Sequence, residues 1–232
     1  GITIVQVKGN ANATYFDEAN PNADAAFGAA AVLVSAVPSG STTAGVTPLT
    51  SMAARLSGID TAALGTANAV PAGITADTIT EGGARLLLAL GLPSNFNIFA
   101  PPAVIKSTAD IANADANAAL IAKIGATAGS GGALAYFKTL IDATPKATVA
   151  SDGKTSIDST QATSFQTAFT TFKTAVDTQA ATLGVTTVAS KWNPTTAELS
   201  AAVTALKARG VEFVESTQLH PEDRGALTRS AL

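Results

Sequence analysis

The chain opens on an alternating, β-branched run, Ile2-Thr3-Ile4-Val5-Gln6-Val7, which stops at Lys8-Gly9-Asn10. That is the pattern of a strand entering a turn. A second apolar run, Ala31-Val32-Leu33-Val34-Ser35-Ala36-Val37, ends at Pro38-Ser39-Gly40 and predicts a second strand. Thr14-Tyr15-Phe16 adds a short third. Two or three strands make a poor independent sheet, because a lone hairpin is marginal in water and its open edges expose unpaired amides. The expectation is that another copy of the chain completes the sheet, with Ile2, Ile4, Val5 and Val7 forming the assembly strand.

From Thr47 the period changes to that of helices. Thr47 is placed as an N-cap with Pro48 at the first helical position, and Leu49, Met52, Ala53 and Leu56 make an apolar stripe that ends at Gly58. Thr75 or Asp77 caps a longer helix through Ile79, Leu86, Leu87 and Leu90, closed by Gly91 with Pro93 beyond. After an irregular connector over 95–102, Ser107 and Thr108 begin a helix carrying Ile111, Ala114, Ala118, Ile121 and Ile124. A glycine-rich break over 129–132 precedes a helix over 133–141, and a polar loop with Asp152-Gly153 follows over 144–156. The longest helix spans 161–183, with Phe165, Phe169, Phe172, Val176 and Leu183 on one stripe. A last helix capped by Thr195 or Thr196 runs to Arg209-Gly210, and Val211-Glu212-Phe213-Val214 alternates like a strand.

These elements predict an α+β chain in three parts. Residues 1–46 form a small β-rich segment, 47–190 an alanine-rich, mainly α-helical bundle, and 191–232 a more highly charged helix-strand block or tail. There is no repeat at a period of about 20–50 residues. No apolar run approaches the roughly 20 residues needed to span a bilayer, so no transmembrane segment is expected.

Composition alters this picture in one respect. The hydrophobic share of 47% is ordinary, but only 13% of residues are charged, about half the usual share of a soluble domain. Alanine, threonine and serine take their place. With 14 Lys+Arg against 17 Asp+Glu and a net charge of −3, the chain lacks the positive field that nucleic acid requires. A near-neutral surface repels its own copies weakly, which suits a homo-oligomer or polymer. No cysteine is present, so thiolate catalysis, disulfides and Cys-type zinc sites are excluded. The single methionine, Met52, and the N-terminal Gly1 lead to the expectation that a leader has been removed or the chain trimmed, and that the protein is exported.

Catalytic sets are lacking, and no enzyme, cofactor or metal is expected. His220 is the sole histidine. With Glu222 or Asp223 beside it, it still lacks the further imidazoles of a usual His-based metal site, and a structural or exposed role is favoured. Asp17, Glu18 and Asp24, with Asn20 and Asn22 near them, offer oxygens to a cation such as calcium. Their spacing lacks the glycine and terminal glutamate of an EF-hand loop, and a solvated turn is favoured. Gly129-Ser130-Gly131-Gly132 is not followed by the Lys-Ser/Thr of a phosphate loop and reads as a connector. The sparse aromatics, among them Tyr15, Phe27, Phe96 and Phe99, are assigned to packing.

Two family resemblances cover different parts of the chain. Val5-Gln6-Val7-Lys8-Gly9, Tyr15-Phe16-Asp17-Glu18-Ala19 and Val46-Thr47-Pro48-Leu49-Thr50-Ser51-Met52-Ala53-Ala54 resemble large exported proteins and lipoproteins of proteobacteria. In these, the end of an immunoglobulin-like or carboxypeptidase-regulatory-like β-sandwich leads into an alanine-rich helical domain. The likeness covers about residues 1–125 and implies an extracellular or cell-surface role without catalysis. Most of the sandwich is missing here, which leaves an incomplete immunoglobulin-like sheet. The second likeness is short. Ala205-Leu206-Lys207-Ala208-Arg209-Gly210-Val211-Glu212-Phe213-Val214 and the segment from Leu219 to Thr228 look like part of a hydroxyphenylpyruvate-dioxygenase-like domain. The iron-binding glutamate of that family falls beyond Leu232, so no metal ligand carries over.

The expectation drawn from these features is a structural subunit of an extracellular filament or surface assembly, joined by strand pairing between copies. The main alternative is a monomeric, surface-displayed ligand-binding or adhesive module. A weaker one is the remnant of a metal-dependent dioxygenase.

Overall fold

The structure is a computed structural model that describes residues 1–15, 25–29, 32–66, 69–90, 96–101 and 133–183. In chain order its elements are β1 (Ile2–Lys8), β2 (Thr14–Tyr15), β3 (Ala25–Ala26), β4 (Val32–Pro38), α1 (Pro48–Leu56), α2 (Ala76–Leu90), α3 (Ala133–Ala143), β5 (Thr148–Val149), β6 (Thr155–Ser156) and α4 (Ser159–Leu183). The strands form three two-stranded antiparallel sheets, β1 with β4, β2 with β3 and β5 with β6. The class is α+β. The helix expected from Ser107, the break over 129–132 and the block 191–232 lie outside the described residues.

The chain divides into two compact units. One comprises Gly1–Lys8, Val32–Pro101 and Lys138–Thr170. β4, α1 and α2 share a core there: Val34, Ala36, Ala54, Ile59 and Ile79 are buried together, with Ile2, Ile4, Ile74 and Phe99 packed against them. β1, β4, α1 and α2 are therefore one packing unit.

α1 starts and stops where its punctuation dictates. Thr47 Oγ1 accepts from the Thr50 N–H (3.2 Å), while Thr50 Oγ1 accepts from the Thr47 N–H (2.9 Å), a reciprocal box with threonine in place of the usual Glu or Gln. At the other end Gly58, at φ +100°, donates to Arg55 O (2.9 Å), and Ile59 donates to Ala54 O (3.0 Å). That pair of bonds is a Schellman closure, accompanied by the apolar contact of Ile59 with Ala54. Every residue of α1 except Arg55 is buried, including Thr50 and Ser51. The stripe of Leu49, Met52, Ala53 and Leu56 is thus only one side of a helix enclosed all round.

α2 repeats the threonine box at Thr75 and Thr78 (2.8 and 3.3 Å), so the cap is Thr75, with Asp77 in the first turn. Two glycines inside this helix, Gly82 and Gly83, each cost helix stability of about 1 kcal/mol relative to alanine. Their reason is proximity. A Cβ on Gly82 would stand 2.7 Å from Ala53 O and 2.9 Å from Ser57 N, both backbone atoms of the α1 segment. A Cβ on Gly83 would meet the Phe99 ring at 2.8 Å. The missing side chain of Gly82 lets α2 approach α1 closely, and that of Gly83 makes room for the Phe99 ring. Arg85 reinforces the placement, donating to Leu56 O (3.4 Å) and Thr155 O (3.0 Å) and pairing with Glu81.

The connector after α3 is also bound to α1. Arg55 Nε donates to Thr144 O (2.7 Å), the Ala147 N–H donates to Arg55 O (2.9 Å), and Lys146 Nζ lies 3.0 Å from Asp60 Oδ2. The segment read as a polar loop carries the β5–β6 hairpin, turned at Gly153 (φ +81°) by a Gly153 N–H to Ala150 O bond of 2.9 Å. Asp158 caps α4 by accepting from the Thr160 and Gln161 N–H groups (2.9 and 3.0 Å). The helix therefore begins at Ser159, two residues before the expected start.

In the second unit, described over 9–15, 25–29, 133–137 and 171–183, Tyr15 and Phe27 pack edge to face with centroids 6.4 Å apart. The Leu134 N–H donates to the Tyr15 hydroxyl (3.2 Å), and Phe137 lies against Phe172 at 5.3 Å. The Thr14-Tyr15 strand thus belongs to its own small sheet with β3, not to the β1–β4 pair.

Two outcomes are expected. Gly82→Ala destabilises the protein by about 1–3 kcal/mol in urea unfolding, because overpacking against α1 outweighs the better helix propensity. The second concerns acid. The Lys146 ammonium hydrogen-bonds Asp60 and holds its carboxyl below the ordinary 3.8; burial opposes this, and the Lys146 charge and the Ala63 and Ala62 N–H groups assist. Since the folded pKa is depressed, the contribution is present above 3.8 and is lost as pH falls through the folded value. Asp60→Asn should flatten the acid limb of stability against pH, and an unchanged limb would remove the Asp60–Lys146 pair as its cause.

Candidate assembly edge

The register of the β1–β4 pair fixes which backbone groups it uses. Ile2 faces Pro38, Val5 faces Ser35 and Lys8 faces Val32. Continuing that register, the Ser39 N–H donates to Gly1 O (3.0 Å), which marks 1/39, and hence 3/37, 5/35 and 7/33, as the bonded pairs of an antiparallel ladder. The amides and carbonyls of Thr3, Val5 and Val7 are turned toward β4. Those of Ile2, Ile4, Gln6 and Lys8 are turned away from it. Of the assembly residues expected from sequence, Ile2 and Ile4 therefore offer outward backbone groups, while Val5 and Val7 spend theirs on Ser35 and Leu33. Gln6 and Lys8 complete the outward set.

The two borders of this sheet are not alike. On the β4 side, the outward Val34 N–H donates to Ser51 Oγ (2.9 Å), and Val34 O accepts from Thr50 Oγ1 (2.8 Å) and Ser51 Oγ (3.3 Å). The hydroxyls of the first turn of α1 thus occupy the position of a neighbouring strand. Val34 and Ser51 are 0% and 1% exposed, so α1 both satisfies and covers this border at Val34. On the β1 side, no hydrogen bond meets the outward groups of Ile2, Ile4, Gln6 or Lys8 among the described residues. β1 is half-buried at Ile2, Ile4, Val5, Gln6 and Val7 and exposed at Thr3 and Lys8. Lys8 is its only charge.

A second feature of the same unit is an open cleft of about 440 Å³ whose lining includes Thr42, Thr43, Thr80, Asn97, Phe99 and Pro101. Hydroxyls, one amide and apolar surface line it, without a charged side chain.

The remaining candidates from sequence fall elsewhere. Asp17, Glu18 and Asp24 lie outside the described residues, as does His220 with Glu222 and Asp223. Among the described residues no three His, Asp or Glu side chains group closely enough to hold a metal ion. No described helix is long and apolar enough to cross a membrane. Comparison with family models, curated proteins and solved structures gives no match.

The hydroxyl clamp on Val34 had no sequence signature beyond Thr50-Ser51 within a helical apolar run. Ser51→Ala strands a buried N–H and removes one of two donors from the Val34 carbonyl, so a loss of about 1–3 kcal/mol is expected. Amide exchange at Val34 should accelerate by the same free energy, and unchanged exchange there would show that the clamp contributes nothing.

Proposed function

We propose that this chain is a non-catalytic structural subunit of an extracellular or cell-surface assembly, and that β1 is the element that joins copies. The observation that carries this reading is the row of outward amides and carbonyls on β1 that meet no hydrogen bond among the described residues, set beside a β4 border that α1 hydroxyls fill at Val34. An open, β-branched edge with one terminal charge is a template for another strand. The low charge of the chain, 13% of residues, reduces the repulsion between copies. In this reading β1 and β4 are the trailing strands of an incomplete immunoglobulin-like sheet that leads into alanine-rich helices, as in the exported proteobacterial proteins the sequence resembles.

A second reading, a monomeric ligand-binding or adhesive module, is favoured by the cleft beside Phe99 and Asn97. Its mixed hydroxyl and apolar lining suits an uncharged ligand.

Ile4→Pro separates the two. Proline at this position removes an N–H that points away from β4, which edge strands tolerate. Light scattering across a wide concentration range is expected to show self-association of the wild-type chain and a monomer for Ile4→Pro, with the helical circular dichroism retained. A wild-type protein that stays monomeric throughout would overturn the assembly reading and leave the module.

A further inference from the structure

Resting on the reading that β1 joins copies, we infer that β1 pairs with β1 of a single second copy across a two-fold axis, so that strand pairing closes at two chains. Growth of a filament by strand addition needs two different open borders on each subunit, one to give and one to receive. This sheet has one. Its β4 border is filled by Thr50 and Ser51, and Val34 and Ala36 are 0% and 1% exposed. A strand from outside has no access there. Among the described residues of this sheet, the border left for β1 is its own counterpart, which makes the contact isologous.

The strand is suited to this pairing. In an antiparallel ladder the residues that exchange bonds are those whose backbone groups face outward on both sides. Setting Ile2 against the partner's Lys8 and Ile4 against the partner's Gln6 engages the whole of β1. It offers up to about eight hydrogen bonds. On the alternate positions it places Val5 against the partner's Val5 and Thr3 against the partner's Val7. Such β-branched cross-strand neighbours are favourable. The two Lys8 ammonium groups fall at opposite ends of the new ladder, well apart. Parallel, in-register stacking would instead set Lys8 on Lys8 in every step and would require a second open border. The product is a four-stranded sheet in the order β4, β1, β1, β4, each outer border covered by its own α1.

The chain has no cysteine, so introduced thiols report this register directly. At Val5 the pairing is of the non-hydrogen-bonded kind, with Cα atoms about 4.5 Å apart, within the range of about 4.4–6.8 Å that a disulfide spans. Mild oxidation of Val5→Cys is expected to yield one covalent species of twice the chain mass and no higher ladder. Thr3→Cys and Val7→Cys should cross-link poorly alone and readily when mixed. Their mixture tests the register even if Val5→Cys fails to fold. Association that Ile4→Pro abolishes, but with no Val5→Cys dimer and no Thr3→Cys with Val7→Cys product, would overturn the two-fold pairing and leave β1 as the joining element. A ladder of higher multiples from Val5→Cys would overturn closure at two. A wild-type chain that is monomeric at every concentration and cross-links nowhere would overturn both readings together.

Discussion

The packing of the first unit depends on one constraint, that the outward amide and carbonyl of Val34 cannot be buried without partners. A lost backbone hydrogen bond in a dry interior costs about 1–3 kcal/mol, and Val34 is fully enclosed. Ser51 and Thr50 supply the bonds. They can do so only if the first turn of α1 lies along β4, which the box at Thr47 and Thr50 fixes by setting where the helix begins. With that turn in place, the rest of α1 is enclosed by its neighbours, and the far side must accept α2. The small residues Ala53 and Gly82 make that approach close enough to leave no gap. The threonine box, the hydroxyl clamp and the helical glycine are thus successive consequences of closing one strand border.

That same closure makes the sheet asymmetric. A two-stranded ribbon has two borders, and natural proteins protect them with helices, charges, proline or bulges. Here a helix protects β4, and Pro38 ends the strand without an N–H to expose. Among the described residues β1 carries none of these devices apart from Lys8 at its end. The asymmetry is between a border that α1 covers at Val34 and one whose outward groups meet no hydrogen bond among the described residues.

Much of this architecture was legible in the residues. Thr47-Pro48 and Gly58 bracket α1 because capping and the left-handed C′ position are local requirements that only a few residue types meet. The two long strands follow from β-branched runs ended by turn residues. What was not legible depended on contacts distant in sequence. Gly82 and Gly83 weaken a helix on propensity alone, and their purpose exists only once α1 and Phe99 are placed. Thr50 and Ser51 fall outside the apolar stripe of Leu49, Met52, Ala53 and Leu56, and nothing local indicates that a strand 16 and 17 residues earlier needs their hydroxyls. The division of β1 into inward and outward backbone groups likewise depends on register, and a shift of one residue would exchange the two sets. Sequence alone therefore cannot sort Ile2, Ile4, Val5 and Val7 into groups facing β4 and groups facing away from it.

The low charge of the chain acquires a different meaning inside this fold. Threonine and serine read as a neutral surface, yet several are interior: Thr47, Thr50, Ser51, Ser57, Thr78 and Thr144 are buried, and each bonds to backbone. A hydroxyl both donates and accepts and is small enough to enter a packed core, so it can satisfy a peptide group without the desolvation cost of a buried charge. Ser35, opposite Val5, is the exception among the described residues, since its buried hydroxyl has no partner. Hydroxyls can cap a border from within, but they cannot repel another copy from outside as a row of lysines does. A chain that organises its interior in this way therefore protects a strand border by covering it, as α1 covers β4 at Val34, and not by charge.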